Sequence, residues 1–246
     1  MKKYNLLFFL ALLIAPTTLL SAQADPDAAL VEISFSVFPL EPGNWEGIFF
    51  APSGVPEEKI TELRFNPHER SIKYQYKGPP PLRFFRKSTD PEGNDTFQTI
   101  AVLPLAPEKY PNPVILFFEP KKPQESYALS VMVDSKENFP DESIVFFNTM
   151  NITFHGILGK NRITLPPGLS SPISVTPFFS EAAPILLAIE QDNDFLPVLR
   201  NKIRFAPERK TIMILRKPQN PNSLRIRTQR LTEFTGNRST GNETGQ

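Results

Sequence analysis

Apolar and polar residues alternate with a period of two along much of this chain. From Leu30 to Leu40, Val31, Ile33, Phe35 and Val37 fall on one face, and Glu32, Ser34 and Ser36 on the other. That is the signature of a half-buried β-strand. Ser71 to Lys77 repeats it, with Ile72, Tyr74 and Tyr76 alternating against Lys73, Gln75 and Lys77. Further short apolar runs are Gly47–Ala51, Ile60–Phe65, Leu82–Phe85, Phe97–Leu105, Val114–Phe118 and Tyr127–Val133, separated by turns rich in Pro, Gly, Asn and Asp. Short strands recurring between turn signals predict an all-β chain.

The stretch Phe139 to Val175 is the most sharply punctuated. Ile152, Phe154 and Leu158 share a face, as do Ile163 and Leu165 on the next strand, and Gly159-Lys160-Asn161 closes a tight hairpin between them. Pro166-Pro167-Gly168 suits a type II turn, with Pro167 presetting φ and Gly168 accepting a positive one. Ile185–Ile189, Val198–Phe205 and Thr211–Leu215 follow, and Ser223–Leu231 alternates as an edge strand would.

These segments predict two consecutive immunoglobulin-like β-sandwich domains, 25–120 and 127–232, with a linker at 121–126 and a disordered tail at 233–246. The linker is the polar, proline-bearing run Glu119–Ser126. The halves echo one another. Phe49-Phe50 matches Phe146-Phe147, Ala106-Pro107-Glu108-Lys109 matches Ala206-Pro207-Glu208-Arg209, and Val114–Phe118 matches Ile212–Arg216, as an internal duplication would give.

Composition refines this picture. The 27 prolines belong in turns and along sheet edges, since proline cannot donate to a ladder. Lys2 and Lys3, an apolar run from Leu6 to Ala15 and Ser21-Ala22-Gln23-Ala24 form a secretory signal at 1–24, cleaved after Ala24. The expected destination is the periplasm or the medium. Removing Lys2 and Lys3 takes the basic count from 27 to 25 against 26 acids, a balance that argues against a nucleic-acid binder. No later run is long enough for a membrane span. With no cysteine, the chain relies on its cores, and thiol chemistry is excluded.

Candidate chemistry is sparse. His68 and His155 lack the neighbours a zinc site needs, no Gly-x-Ser-x-Gly elbow occurs, and no Gly-rich phosphate loop is present. No catalytic residue, metal or cofactor is therefore expected. Glu190-Gln191-Asp192-Asn193-Asp194 offers oxygen ligands that calcium could use, but reads more simply as an Asx-rich hairpin turn. Between Arg200 and Arg230 ten Lys and Arg residues face only Glu208, expected as solvated outer faces of strands. The candidate binding residues are Tyr74, Tyr76 and Arg83, where aromatics and basic groups surround Gly78–Pro81 and could stack on a sugar or grip a peptide.

Phe139-Pro140-Asp141-Glu142-Ser143, Phe147-Asn148, Gly156-Ile157-Leu158-Gly159 and Leu165-Pro166-Pro167-Gly168 resemble a group of exported bacterial β-rich proteins. Tyr74-Gln75-Tyr76-Lys77-Gly78-Pro79 with Leu82-Arg83-Phe84-Phe85 looks like another block of that group, whose function is not assigned. The resemblance implies export and a β-rich fold. Asp141 to Asn148 is also similar to the Glu-Ser-(apolar)-Asn run of periplasmic pilus chaperones, although here it opens the second half rather than closing the first. The leading expectation is a non-catalytic exported protein that binds another protein or an envelope component. A pilus-chaperone-like role and a carbohydrate-binding module are the alternatives.

Overall fold

A computed structural model describes residues 30–105, 113–121 and 126–236. The fold is all-β, of sandwich type, and its helical content among these residues is a single 3-10 turn at Thr176–Phe178. The described residues make four sheets, two in each half. In the first half β1 (Val31–Pro39), β4 (Tyr74–Gly78), β7 (Val114–Lys121) and β8 (Ser126–Val133) form one sheet in the order β4-β1-β7-β8. Against it lies a second, ordered β3-β2-β5-β6, from β2 (Phe49–Phe50), β3 (Thr61–Glu62), β5 (Leu82–Thr89) and β6 (Asp95–Leu103).

The second half repeats this topology. One sheet runs β12-β9-β16-β17, using β9 (Ser143–Asn148), β12 (Gly168–Leu169), β16 (Arg209–Arg216) and β17 (Arg227–Phe234), with β13 (Ile173–Ser174) also on β9. The other runs β11-β10-β14-β15, using β10 (Phe154–Leu158), β11 (Asn161–Leu165), β14 (Ala183–Gln191) and β15 (Asp194–Ile203). In both halves the opening strand lies parallel to a late one: Phe35 sits opposite Val114, and Ile144 opposite Thr211.

That register corrects two of the expected echoes. Val114 corresponds to Thr211, one position before the apolar-to-apolar match with Ile212. A slip of one residue turns every side chain to the other face, and only the observed register keeps Ile115 and Ile212 on equivalent faces. Phe49-Phe50 and Phe146-Phe147 are not equivalent, because they occupy different sheets. The third echo lies partly outside the described residues, as do the signal segment at 1–24 and the tail from 237 on. Glu233 and Phe234, expected in that tail, are the last residues of β17.

The halves also divide elsewhere than expected. Residues 122–125 of the predicted linker lie outside the described part. The strands on either side of them, β7 and β8, pair along their whole length, from Val114 opposite Val133 to Lys121 opposite Ser126. The chain therefore stays in the first half until Val133 and crosses through 134–142.

Three apolar cores hold these sheets. Phe35, Phe50, Phe84 and Phe118 centre the first, and Ile144, Phe146, Phe154 and Leu215 the second. The third joins the halves. It unites Phe38, Ile115, Phe117 and Met132 of one sheet with Val145, Phe147, Ile212, Ile214 and Leu231 of the other, sealed by Phe139 from the crossing segment. Phe117 and Phe147 meet edge to face with ring centroids 4.9 Å apart. The sheets bearing β1 and β9 are thus inner layers covered on both faces, and the other two are outer layers. Strands covered on both sides read as unbroken apolar runs, which explains why Ile144–Phe147 and Ile212–Leu215 do not alternate. Among the described residues no helix is long and apolar enough to cross a membrane.

Candidate functional site

The Gly78–Pro81 bend creates a cleft on the outer sheet of the first half. Pro79, Pro80 and Pro81 end β4 and carry the chain to β5, with a cis peptide between Pro80 and Pro81. Three prolines without N–H groups cannot extend a ladder. The break places their rings beside Arg83, Phe85 and Phe97 around a cavity of about 600 Å³.

A β-bulge opposite Phe84 and Phe85 shapes its floor. Phe84 enters the first core and Phe85 faces the cleft by the ordinary alternation of a strand. The extra residue of the bulge is Ile100 on β6, which enters the core with Ala101 and turns Thr99 and Phe97 to the cleft. There Phe97 meets Phe85 at 5.0 Å, ring edge to face. The opposite rim carries Gly54 at φ 85, a conformation glycine adopts freely. A Cβ there would stand 2.9 Å from Pro79 Cδ and 3.1 Å from the Tyr76 hydroxyl, so the close approach of this rim also requires glycine.

The three candidate residues separate in space. Arg83 is exposed and Tyr76 also borders the cleft, but the Tyr76 ring is buried and its hydroxyl donates to the Pro79 carbonyl. Burial pushes the Tyr76 phenol up, with the Arg83 charge opposing. Tyr74 is a core residue. Its ring packs 5.6 Å from both Phe35 and Phe50, and its hydroxyl accepts the Arg64 N–H at 2.8 Å. Neither tyrosine offers an open ring face, and Phe85 is itself buried, so the accessible aromatic surface of the cleft belongs to half-buried Phe97, which Phe85 backs from beneath. Lys77 lies out on β4, 3.4 Å from Glu32.

The remaining candidates resolve as local structure. Asp192 and Asn193, at φ 52 and 66, form the two-residue turn between β14 and β15, the left-handed pair that a type I′ hairpin needs. His155 rests beside Phe195 at 5.7 Å between centroids. The backbone N–H of His68 donates to Asn66 in a surface turn. The hairpin turn before Asn161 and the positive φ of Gly168 agree with the turns expected there.

A second polar feature was not anticipated. At one end of the third core, Asp134 binds Arg70 at 2.5 Å and also accepts from Lys210, while Arg70 Nε lies 2.6 Å from Glu233. Lys210 Nζ sits 4.6 Å from the Phe139 ring centre. Burial works against the Asp134 charge, but Arg70 and Lys210 outweigh it and hold the carboxyl below its ordinary value. For Glu233 burial prevails over the same two cations, Asp134 adds repulsion, and its carboxyl is raised. Arg70 comes from the first half, Asp134 from the crossing and the other two from the second half. The cluster clamps the halves and leaves neither cation free.

No protein-family model matches this chain, and no curated protein matches it.

Proposed function

We propose that this is a non-catalytic exported protein that engages another protein or an envelope component through the cleft between Pro79–Pro81 and the Phe85–Phe97 pair. One observation carries the reading: exposed Arg83 stands beside apolar rings and a rigid proline wall, in a depression of about 600 Å³ on a braced sheet. Arginine and aromatic groups around a preformed apolar depression are the usual anchors of recognition. An extended aromatic or proline-bearing segment with one carboxylate for Arg83 fits this lining, which also carries Glu57 on its rim. The basic start, apolar run and Ala-x-Ala site at 1–24 support export.

The alternatives draw less support. A pilus-chaperone-like role calls for a free basic pair between the halves. Arg70 and Lys210 are both engaged by acids, and only Arg216 and Arg227, at the other end of the junction, keep an excess charge, with Glu41 beside them. A carbohydrate-binding role through Tyr74 and Tyr76 calls for open ring faces, and both rings are buried.

The test compares the mature protein with Arg83→Glu as baits for an envelope extract of the native host. The proposal expects a partner enriched by the wild type and depleted about tenfold by the variant, the loss of one charge-assisted anchor. Equal recovery by both baits would exclude the cleft. Mass spectrometry of the protein from the envelope fraction should find Asp25 as the first residue; an intact leader would overturn the export reading.

A further inference from the structure

The third core ends differently at its far side. Along β16 the residues facing the opposite inner sheet are Lys210, Ile212, Ile214 and Arg216, and their cross-strand partners on β17 are Glu233, Leu231, Gln229 and Arg227. The Lys210–Glu233 end is the neutralised clamp. The Arg216–Arg227 end sets two like charges directly opposite, an arrangement that destabilises a sheet unless something compensates it.

The compensation within the chain is incomplete. Arg227 Nε donates to the Lys217 carbonyl at 3.0 Å, and its Nη2 lies 3.9 Å from Glu41. Arg216 is only 9% exposed, and its buried Nε has no hydrogen-bond partner among the described residues. An unsatisfied buried donor is costly, more so when charged. Burial pulls the Arg216 guanidinium down, Glu41 opposes this and Arg227 adds to it. Arg216 also borders a cavity of about 600 Å³ whose walls include Trp45, Pro39, Pro42 and Pro67. Two guanidinium groups and one carboxylate leave a single positive charge within largely apolar walls.

We propose that this cavity is a binding site for a small organic carboxylate, which pairs with Arg216 and lays its apolar body against Trp45. A monoanion matches the single excess charge, a planar carboxylate matches the guanidinium fork, and the proline and indole walls favour an apolar remainder. The site is separate from the Pro79–Pro81 cleft and does not depend on it.

Trp45 is the chain's only tryptophan, so its emission reports the cavity directly. Titration with phenylacetate should change Trp45 fluorescence saturably. Phenylacetamide, of the same shape without the charge, should bind about tenfold more weakly or worse, as should inorganic phosphate. Arg216→Gln should weaken phenylacetate by a similar factor, and Glu41→Gln should strengthen it. The acid–amide comparison needs only the wild-type protein, so it holds even if a variant folds poorly. No saturable response to millimolar phenylacetate, equal responses to acid and amide, tighter binding of phosphate, or an Arg216→Gln variant of unchanged affinity would each overturn the assignment.

Discussion

Replacing Asp134 by Asn removes the charge that holds Arg70 and Lys210 together at the junction of the halves. The side chain is 3% exposed, so its loss breaks a buried cluster and leaves two cations with only Glu233. Breaking such a cluster costs about 3 kcal/mol, which for a chain of this size lowers Tm by roughly 6–12 °C. The pH dependence gives a sharper test. The Asp134 pKa is depressed in the fold, so its contribution is present above the ordinary value of 3.8 and is lost as pH falls through the lower folded value. The Glu233 pKa is raised, so its contribution is present below 4.5 and is lost as pH rises through the higher folded value. On acidification Glu233 takes its proton first, relieving the cost of burying its charge, and Asp134 follows at lower pH with loss of the clamp. Thermal melts of wild type, Asp134→Asn and Glu233→Gln between pH 2 and 8 would separate these effects by difference. The destabilisation by Asp134→Asn should start to shrink as pH falls below 3.8 and disappear only as pH passes the lower folded value, where the wild type loses the same charge. A constant deficit across the range, or a cost below about 1 kcal/mol at pH 7, would refute the clamp.

Phe147→Ala, at the centre of the third core, should cost about 3–5 kcal/mol in urea unfolding; a cost under about 1 kcal/mol would mean that the halves barely rely on their contact. Tyr76→Phe should lose about 1 kcal/mol through the missing hydroxyl bond to Pro79, measurable by the same titration, and an unchanged midpoint would discount that bond. Gly78→Ala should cost about 2 kcal/mol, because its Cβ would stand 2.4 Å from the Ser53 carbonyl oxygen, a backbone neighbour with little room to yield.

How much of this was legible along the chain differed from element to element. The alternation of Tyr74 to Gly78 and the turn residues around Gly159 and Gly168 marked strands and hairpins correctly, since these are local properties of backbone and side chain. The unbroken runs Val114–Phe118, Ile144–Phe147 and Ile212–Leu215 were legible as strands, but they also carried the signal that both faces are covered, and hence that the halves pack on one another. The polar run before Tyr127 looked like a boundary because hairpin loops and linkers share one composition; strand pairing across it is a long-range fact. Alternation placed Tyr74 and Tyr76 on the apolar face, and burial is what that pattern measures, whereas the turning of Phe97 to the cleft depended on a bulge at Ile100 with no sequence mark. Lys210 and Arg216 share the parity of Ile212 and Ile214. That was the available hint that two members of the basic run point inward.

The most direct test of the recognition cleft is site-resolved photo-crosslinking in the native host. A benzophenone amino acid would replace Phe97 in the cleft and, as a control, Phe195, which is 60% exposed on the outer sheet of the second half. The account predicts a discrete adduct from position 97 that disappears in the Arg83→Glu background, and none from position 195. Adducts from 195 but not from 97, or a position-97 adduct indifferent to Arg83, would contradict it.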